Sequence, residues 1–496
     1  MKYQSTRSED YLYTSAQAIK TGLAPDGGLF VPEKFVRLGA DEIKQLSEMS
    51  YNEKAFNILR NFLTDFSDDE IKNCVNLAYN KQNFETESIA PVYKLNSQVY
   101  FLELWHGCSH AFKDMALQIL PHLLACSIKK TSEERCAFVL VATSGDTGKA
   151  ALEGFKNVPG TKIAVFYPEN GVSEIQRLQM ITQEGENVSV AAIRGNFDDT
   201  QSAVKGIFTD EGFNSELDGK GYILSSANSI NWGRLVPQIV YYFSSYCDLM
   251  QNEEIKPDEM INFVVPTGNF GDILAGYYAK LLGLPVNRLI CASNKNNILT
   301  DFVNTGVYDI NRSFYTTSSP SMDILISSNL ERFLFDITGR DFARIKSWMK
   351  DLQQQGRYEV PTITKNKIKE VMWAGYCGEE DTLMSIKDTF EAYDYIMDPH
   401  TAVAKNVYDQ YLFETGDTTK TIILSTASPF KFNKSVMTAL KGDEVGNAGE
   451  FKLLEMLSSV SGMKIPESLL GLKNKEIRFE DALSSNEIKD FVRRYC

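Results

Sequence analysis

From residue 136 to residue 292 the chain alternates short apolar runs with amphipathic stretches, and this rhythm restricts the fold more than any other feature. Residues 136–142 form an unbroken apolar run, the pattern of a strand buried on both faces. A helical pattern follows over 149–155, then a strand over 162–168 and a helix over 173–182. Residues 188–193 read as a third strand and 199–208 as a third helix. The unit recurs as strand 261–265, helix 272–282 and strand 288–292, and 421–425 is a further buried strand. Strands joined through helices run parallel, because the crossover returns the chain to the same end of the sheet. The expected class is α/β, with parallel sheets flanked by helices.

At 496 residues the chain is too long for one hydrophobic core. The first 95 residues read as a mainly helical segment: a helix from Ser15 is stopped by Gly22, Pro25 to Gly28 make a turn, and 29–31 is a short strand. Residues 99–104 are another strand, leading into 106–114. A buried helix over 115–125 must kink or restart at Pro121, which cannot donate a backbone hydrogen bond.

Charge and composition exclude several classes. A net charge of -14 argues against a nucleic-acid partner, which needs a basic face. No apolar run approaches the ~18 residues that span a bilayer, so no membrane partner is expected. The polar opening lacks a signal-peptide core, which predicts a cytoplasmic protein. Eight scattered cysteines without a C-x-x-C pair read as free thiols.

The chemistry concentrates in a few segments. His106, Cys108, His110 and Lys113 stand together before a helical pattern. A lysine among apolar neighbours loses its proton more readily, because desolvation disfavours the ammonium, and a neutral amine can form a Schiff base with an aldehyde. Two strand-loop-helix turns follow. Thr143, Ser144, Gly145, Asp146, Thr147, Gly148 and Lys149 make the first; it is either an anion site at a helix N-terminus or a tight turn with a capping aspartate. It is not a nucleoside-triphosphate loop, since Thr143 replaces the first glycine and Ala150 the metal-binding hydroxyl. Gly268, Asn269, Phe270, Gly271 and Asp272 make the second, where two glycines would let backbone approach a phosphate. The dinucleotide G-x-G-x-x-G is missing, as are H-E-x-x-H and G-x-S-x-G. His106, Cys108 and His110 have no second ligand cluster, so no metal is expected. Asp398 to Ala402 precede a helix, and Ser425 to Phe432 close a buried strand, the end at which parallel sheets bind ligands.

These segments, in this order, resemble threonine synthase, a pyridoxal-phosphate (PLP) family of the tryptophan-synthase-β, fold type II class. The resemblance rests on Gly22 to Leu29, Glu103 to Asp114, Ala142 to Gly148, Ser226 to Asn231, Gly268 to Asp272 and Asp398 to Ala402. It implies two parallel-sheet domains plus the N-terminal segment: 1–95, a large cofactor-binding domain of 96–135 and 255–496, and a small domain of 136–254. Lys113 would be the Schiff-base lysine and the catalytic base. Gly268, Asn269, Phe270, Gly271 and Asp272 would hold the cofactor phosphate, and Thr426 would meet the pyridine nitrogen. Ser144, Gly145, Asp146 and Thr147 would face the substrate carboxylate, and Asn231 would bind substrate as part of the 226–231 motif; Arg234, beside that motif, and Lys149 are the candidate cations for the substrate phosphate. The implied reaction turns O-phospho-L-homoserine and water into L-threonine and phosphate, in a protein expected to be monomeric. A related phospho-lyase, a serine or threonine dehydratase, and a catalytically idle binding module remain open readings. The sequence departs from the family at Cys108 and Ser109, where proline and threonine are usual, and at Ser428, where histidine is usual.

Overall fold

Buried β-strands form where the apolar runs are unbroken. In the computed structural model, which describes residues 1–143 and 145–496 apart from the side chains of Phe197, Asp198 and Asp443, strands Cys136–Ala142, Val188–Ile193 and Thr421–Ser425 have the bounds their apolar runs predict. Their side chains are shielded on both faces, so no alternation is needed to recognise them.

Among the described residues the strands build two large sheets. One has six strands in the order Met372–Tyr376, Val286–Ser293, Ile261–Pro266, Thr421–Ser425, Val99–Glu103, Val92–Lys94. All its pairings are parallel except the last, which is an antiparallel edge. The other has five parallel strands in the order Ala482–Leu483, Val188–Ile193, Thr161–Pro168, Cys136–Ala142, Tyr222–Ser225. The architecture is the α/β type expected, with helices filling the connections.

The mainly helical N-terminal segment carries the short strand expected after the 25–28 turn, and Leu12–Tyr13, Tyr3–Ser5 and Phe30–Pro32 form a small antiparallel sheet beside its helices. Ala482–Leu483 pairs with Ala192–Ile193, so the C-terminal tail joins the five-stranded sheet. Helix Ile488–Arg494 follows it there, packing Phe491 against Phe166 with ring centroids 5.5 Å apart. Val92–Lys94 forms the antiparallel edge of the six-stranded sheet, beside Val99–Glu103.

The helix after Lys113 restarts rather than kinks. Asp114–Leu117 is one turn, and Leu120–Lys130 begins anew with Pro121 in its first turn, where no intrahelical donor is required. No helix among the described residues is long and apolar enough to cross a membrane.

Candidate active site

Four loops leave the carboxyl ends of buried strands and meet: 104–113, 143–149, 266–272 and 426–432. This is where open parallel sheets place ligands, because the loops and helix N-termini converge there. The lysine segment is fastened to the neighbouring strand exit. Phe112 N donates to Thr426 O at 2.8 Å, Ser428 N donates to His110 O at 3.0 Å, and Ala111 bridges Ala427. His110 adopts a positive φ of 58°, which turns the chain between these contacts. Gly107 is required by close approach: a Cβ there would lie 2.5 Å from an Asp114 carboxylate oxygen, which accepts from Ser109 N.

Lys113 Nζ donates to Ser321 Oγ at 3.2 Å and lies 3.5 Å from Asp146 Oδ2. Burial pushes its pKa below the ordinary lysine value, Asp146 opposes that shift, and the cations Lys431 and Arg234 add to it. Asp146 is the hub of the cluster. Its Oδ1 is 3.0 Å from Lys431 Nζ and accepts from Gln176 Nε2 at 3.1 Å, while its Oδ2 accepts from Ser321 Oγ at 3.0 Å. Burial alone would raise this carboxyl, but Lys431, Lys113 and His400 outweigh it and hold it far below the carboxylate range. Ser321 N in turn donates to His400 Nε2 at 3.2 Å, and His400 Nδ1 meets Asp398 Oδ1 at 2.6 Å. That network assigns the ring proton to Nδ1.

The loop after Ile261–Pro266 has a different character. Its carbonyls are tied back: Ser327 Oγ donates to Gly268 O at 2.6 Å, and Asn329 N to Asn269 O at 3.1 Å. The N–H groups of Gly268, Asn269 and Phe270 donate to no protein acceptor among the described residues. Phe270 sits at φ 64° and starts helix Gly271–Leu281, so the helix N-terminus adds its dipole to these free donors. A Cβ on Gly268 would be 2.5 Å from Ser321 O, which is why glycine is needed there. Free amides in a glycine cradle at a helix start, with a buried lysine amine facing the same space, fit an anionic aldehyde cofactor. Asp272 lies in the first turn of that helix: its Oδ1 accepts from Ile273 N at 2.9 Å, and burial pushes the carboxyl up to about 6.

Among the other expected residues, Arg234 is buried, its Nη1 donates to Ala227 O at 2.9 Å, and its Nε lacks a partner. Burial lowers the guanidinium to about 10. Its positive charge disfavours a second one on Lys113. Lys149 is committed elsewhere, to Glu153 and, at 2.7 Å, to Gln183 Oε1. Asn231 is spent on structure: its side chain caps Gly233 N at 2.9 Å and donates to Ile19 O and Ser226 O. Neither offers a free group to a substrate phosphate. Gly145 and Thr147 lie in the first loop beside Asp146, Thr426 is buried beside the lysine segment, and Ser144 lies outside the described residues.

Sequence reasoning missed Ser321, Asn329 and Lys431. Ser321 and Asn329 come from a stretch without helix or strand periodicity, so no local pattern marks them. Lys431 had one available signal, a charge at the exit of a buried strand, and His400 was read as part of the 398–402 segment without a role of its own.

Known proteins are similar to this chain in sequence and fold. The family description "Threonine synthase N terminus" matches residues 2–79, and "Threonine synthase, C-terminal" matches residues 401–492. Threonine synthase of Pseudomonas aeruginosa is 38% identical, over 88% of this chain and 90% of its own. Threonine synthase-like 1 of Macaca fascicularis is 39% identical over 97% of this chain, which spans 65% of that longer protein. The structure of PLP-bound threonine synthase from Brucella melitensis superposes with a TM-score of 0.89 at 35% identity, covering 100% of this chain and 99% of that one. Yeast threonine synthase gives the same TM-score at 32% identity, covering 100% and 98%. The fold is therefore that of the fold type II α/β class. Within that class, the chain belongs to the threonine synthase family.

Proposed function

We propose that this chain is a PLP-dependent lyase that converts O-phospho-L-homoserine and water to L-threonine and phosphate. The observation that carries the reading is the buried Lys113 amine, set between the Asp146 carboxylate and the free amides of the 268–270 cradle, with Arg234 beside it. Bound through Lys113, the cofactor supplies an electron sink for carbanionic charge at the substrate carbons.

The protein's residues do the rest. The amides of Gly268, Asn269 and Phe270 hold the cofactor phosphate by backbone hydrogen bonds and the helix dipole. The Lys113 amine would move protons at Cα and Cβ; burial lowers its pKa, which favours the neutral form that a base requires. Arg234, with its unpartnered Nε, pairs with the γ-phosphate as that group departs. The proton taken from Cβ would go to Cγ, making the methyl group; water would then add at Cβ, its proton passing to the released phosphate, and Lys113 would return a proton to Cα. Burial of Asp146, His400 and Lys431 keeps bulk water out, which strengthens each charge contact.

Incubation of purified protein with phosphohomoserine tests this reading. Equal amounts of phosphate and threonine are expected. Phosphate accompanied by 2-oxobutyrate and ammonia would assign the chain to the phospho-lyase branch instead, and no phosphate release would reject the reading.

A further inference from the structure

We propose that Lys431 is a positioning residue for Lys113, acting through Asp146: its ammonium clamps one carboxylate oxygen so that the other is presented to the Lys113 amine. This rests on the function proposed above and assigns a group to it that touches neither reacting carbon.

Lys431 is anchored from two sides. Its Nζ donates to Ser109 O at 2.7 Å and lies 3.0 Å from Asp146 Oδ1, with the side chain fully buried. Ser109 belongs to the lysine-bearing segment, Asp146 to the loop of the five-stranded sheet, and Lys431 to the exit of the six-stranded sheet's strand Thr421–Ser425. One ammonium thus ties together three segments that must keep register for Lys113 to work. Asp146 is divided accordingly: Oδ1 serves Lys431 and Gln176, and Oδ2 serves Lys113 and Ser321.

The charge count makes the arrangement necessary. Asp146 alone would hold Lys113 as a bound ammonium, since an opposite charge a few ångströms away favours the protonated form. Lys431 cancels that field while keeping the carboxylate in place. The charged groups around Lys113 are Asp146 from helix Asp146–Phe155, Lys431 from the 429–432 turn, Arg234 from helix Trp232–Leu235 and Asp272 from helix Gly271–Leu281; His400 faces Asp146 from helix Pro399–Thr415. Removing Lys431 takes away one positive charge and frees Asp146 to pair wholly with Lys113. Both changes favour protonation of the Lys113 nitrogen.

The test is the pH midpoint of the holoenzyme's visible absorbance, which follows protonation of the Lys113 nitrogen, measured beside kcat and KM. K431M should raise the midpoint by about one pH unit, the scale of a neighbouring charge. It should lower kcat about tenfold or more, within the range of a base's contribution, with KM nearly unchanged. D146N should lower the midpoint. Should K431M not fold with its carboxylate buried alone, D146N/K431M leaves no unpaired buried charge, and its midpoint should lie above that of D146N by well under one pH unit, since the carboxylate through which Lys431 acts is gone. An unmoved midpoint in K431M, or a rise of a full unit or more from D146N to D146N/K431M, would overturn the clamp. A wild-type protein that binds PLP at another residue, or not at all, would instead reject the function itself.

Discussion

The two glycine-bearing turns at 143–149 and 266–272 look alike in sequence, each leaving a buried strand and entering a helix. They do opposite things. In the first, Thr143 Oγ1 collects the N–H groups of Gly145 and Gly148 at 3.0 and 2.9 Å, so these two amides are spent within the turn, which presents a carboxylate, Asp146. In the second, side chains bind the carbonyls and the amides stay free. The first is a negative pole answered by Lys113 and Lys431; the second is a positive pole built from backbone. A glycine-rich strand-to-helix turn therefore does not specify an anion site. What decides is whether a neighbouring hydroxyl consumes the donors.

The sharpest way to break this contrast is to remove the amine between the poles. Lys113→Ala should lower phosphate release from phosphohomoserine by on the order of 10³-fold, with the circular dichroism spectrum unchanged. Next in size are the glycines. Gly268→Ala places a Cβ 2.5 Å from backbone Ser321 O, and cofactor affinity measured by fluorescence titration should fall tenfold or more, about 1.4 kcal/mol. Gly145→Ala instead meets the Gln176 side chain from a φ of 134°, so it should show mainly as a lower melting temperature, from strain of about 1–3 kcal/mol.

The cations differ as the loops do. Arg234→Ala should raise KM for phosphohomoserine about tenfold, the loss of a charge-assisted contact, without weakening cofactor binding. Lys149→Met should change KM less than about threefold, since Glu153 already neutralises that ammonium. Smallest and most diagnostic is the opposite pH response of the two loop aspartates, read by denaturant unfolding at pH 4 and pH 7. Asp272 titrates at about 6 when folded, above its ordinary value. It favours folding most below that ordinary value, and the benefit is lost as pH rises through 6; D272N should flatten this decline, worth on the order of 2 kcal/mol. Asp146 is depressed, so its contribution is present above the ordinary carboxylate value and lost as pH falls. D146N should therefore destabilise the protein more at pH 7 than at pH 4.

The parts legible in the sequence were those that local chemistry marks. Strands such as Val188–Ile193 announce themselves because both faces are buried, and Pro121 announces the helix restart. Tyr3–Ser5, Tyr222–Ser225 and Met372–Tyr376 were missed, being short or carrying glycine and mixed polarity, so partners rather than their own periodicity make them strands. In the site, Lys113 and the 268–272 loop stood out through residue type and setting. Lys149 was misleading because its commitment to Glu153 one helical turn later is a matter of packing. The Asp146–Lys431 pair joins segments on different sheets, and nothing local to either residue predicts the other.

Borohydride reduction of the purified protein followed by peptide mapping tests the central claim most directly. The account predicts a pyridoxyl group on the ε-nitrogen of Lys113 and on no other lysine. A label on Lys431 or Lys149, or an unlabelled protein that still releases phosphate from phosphohomoserine, would contradict it.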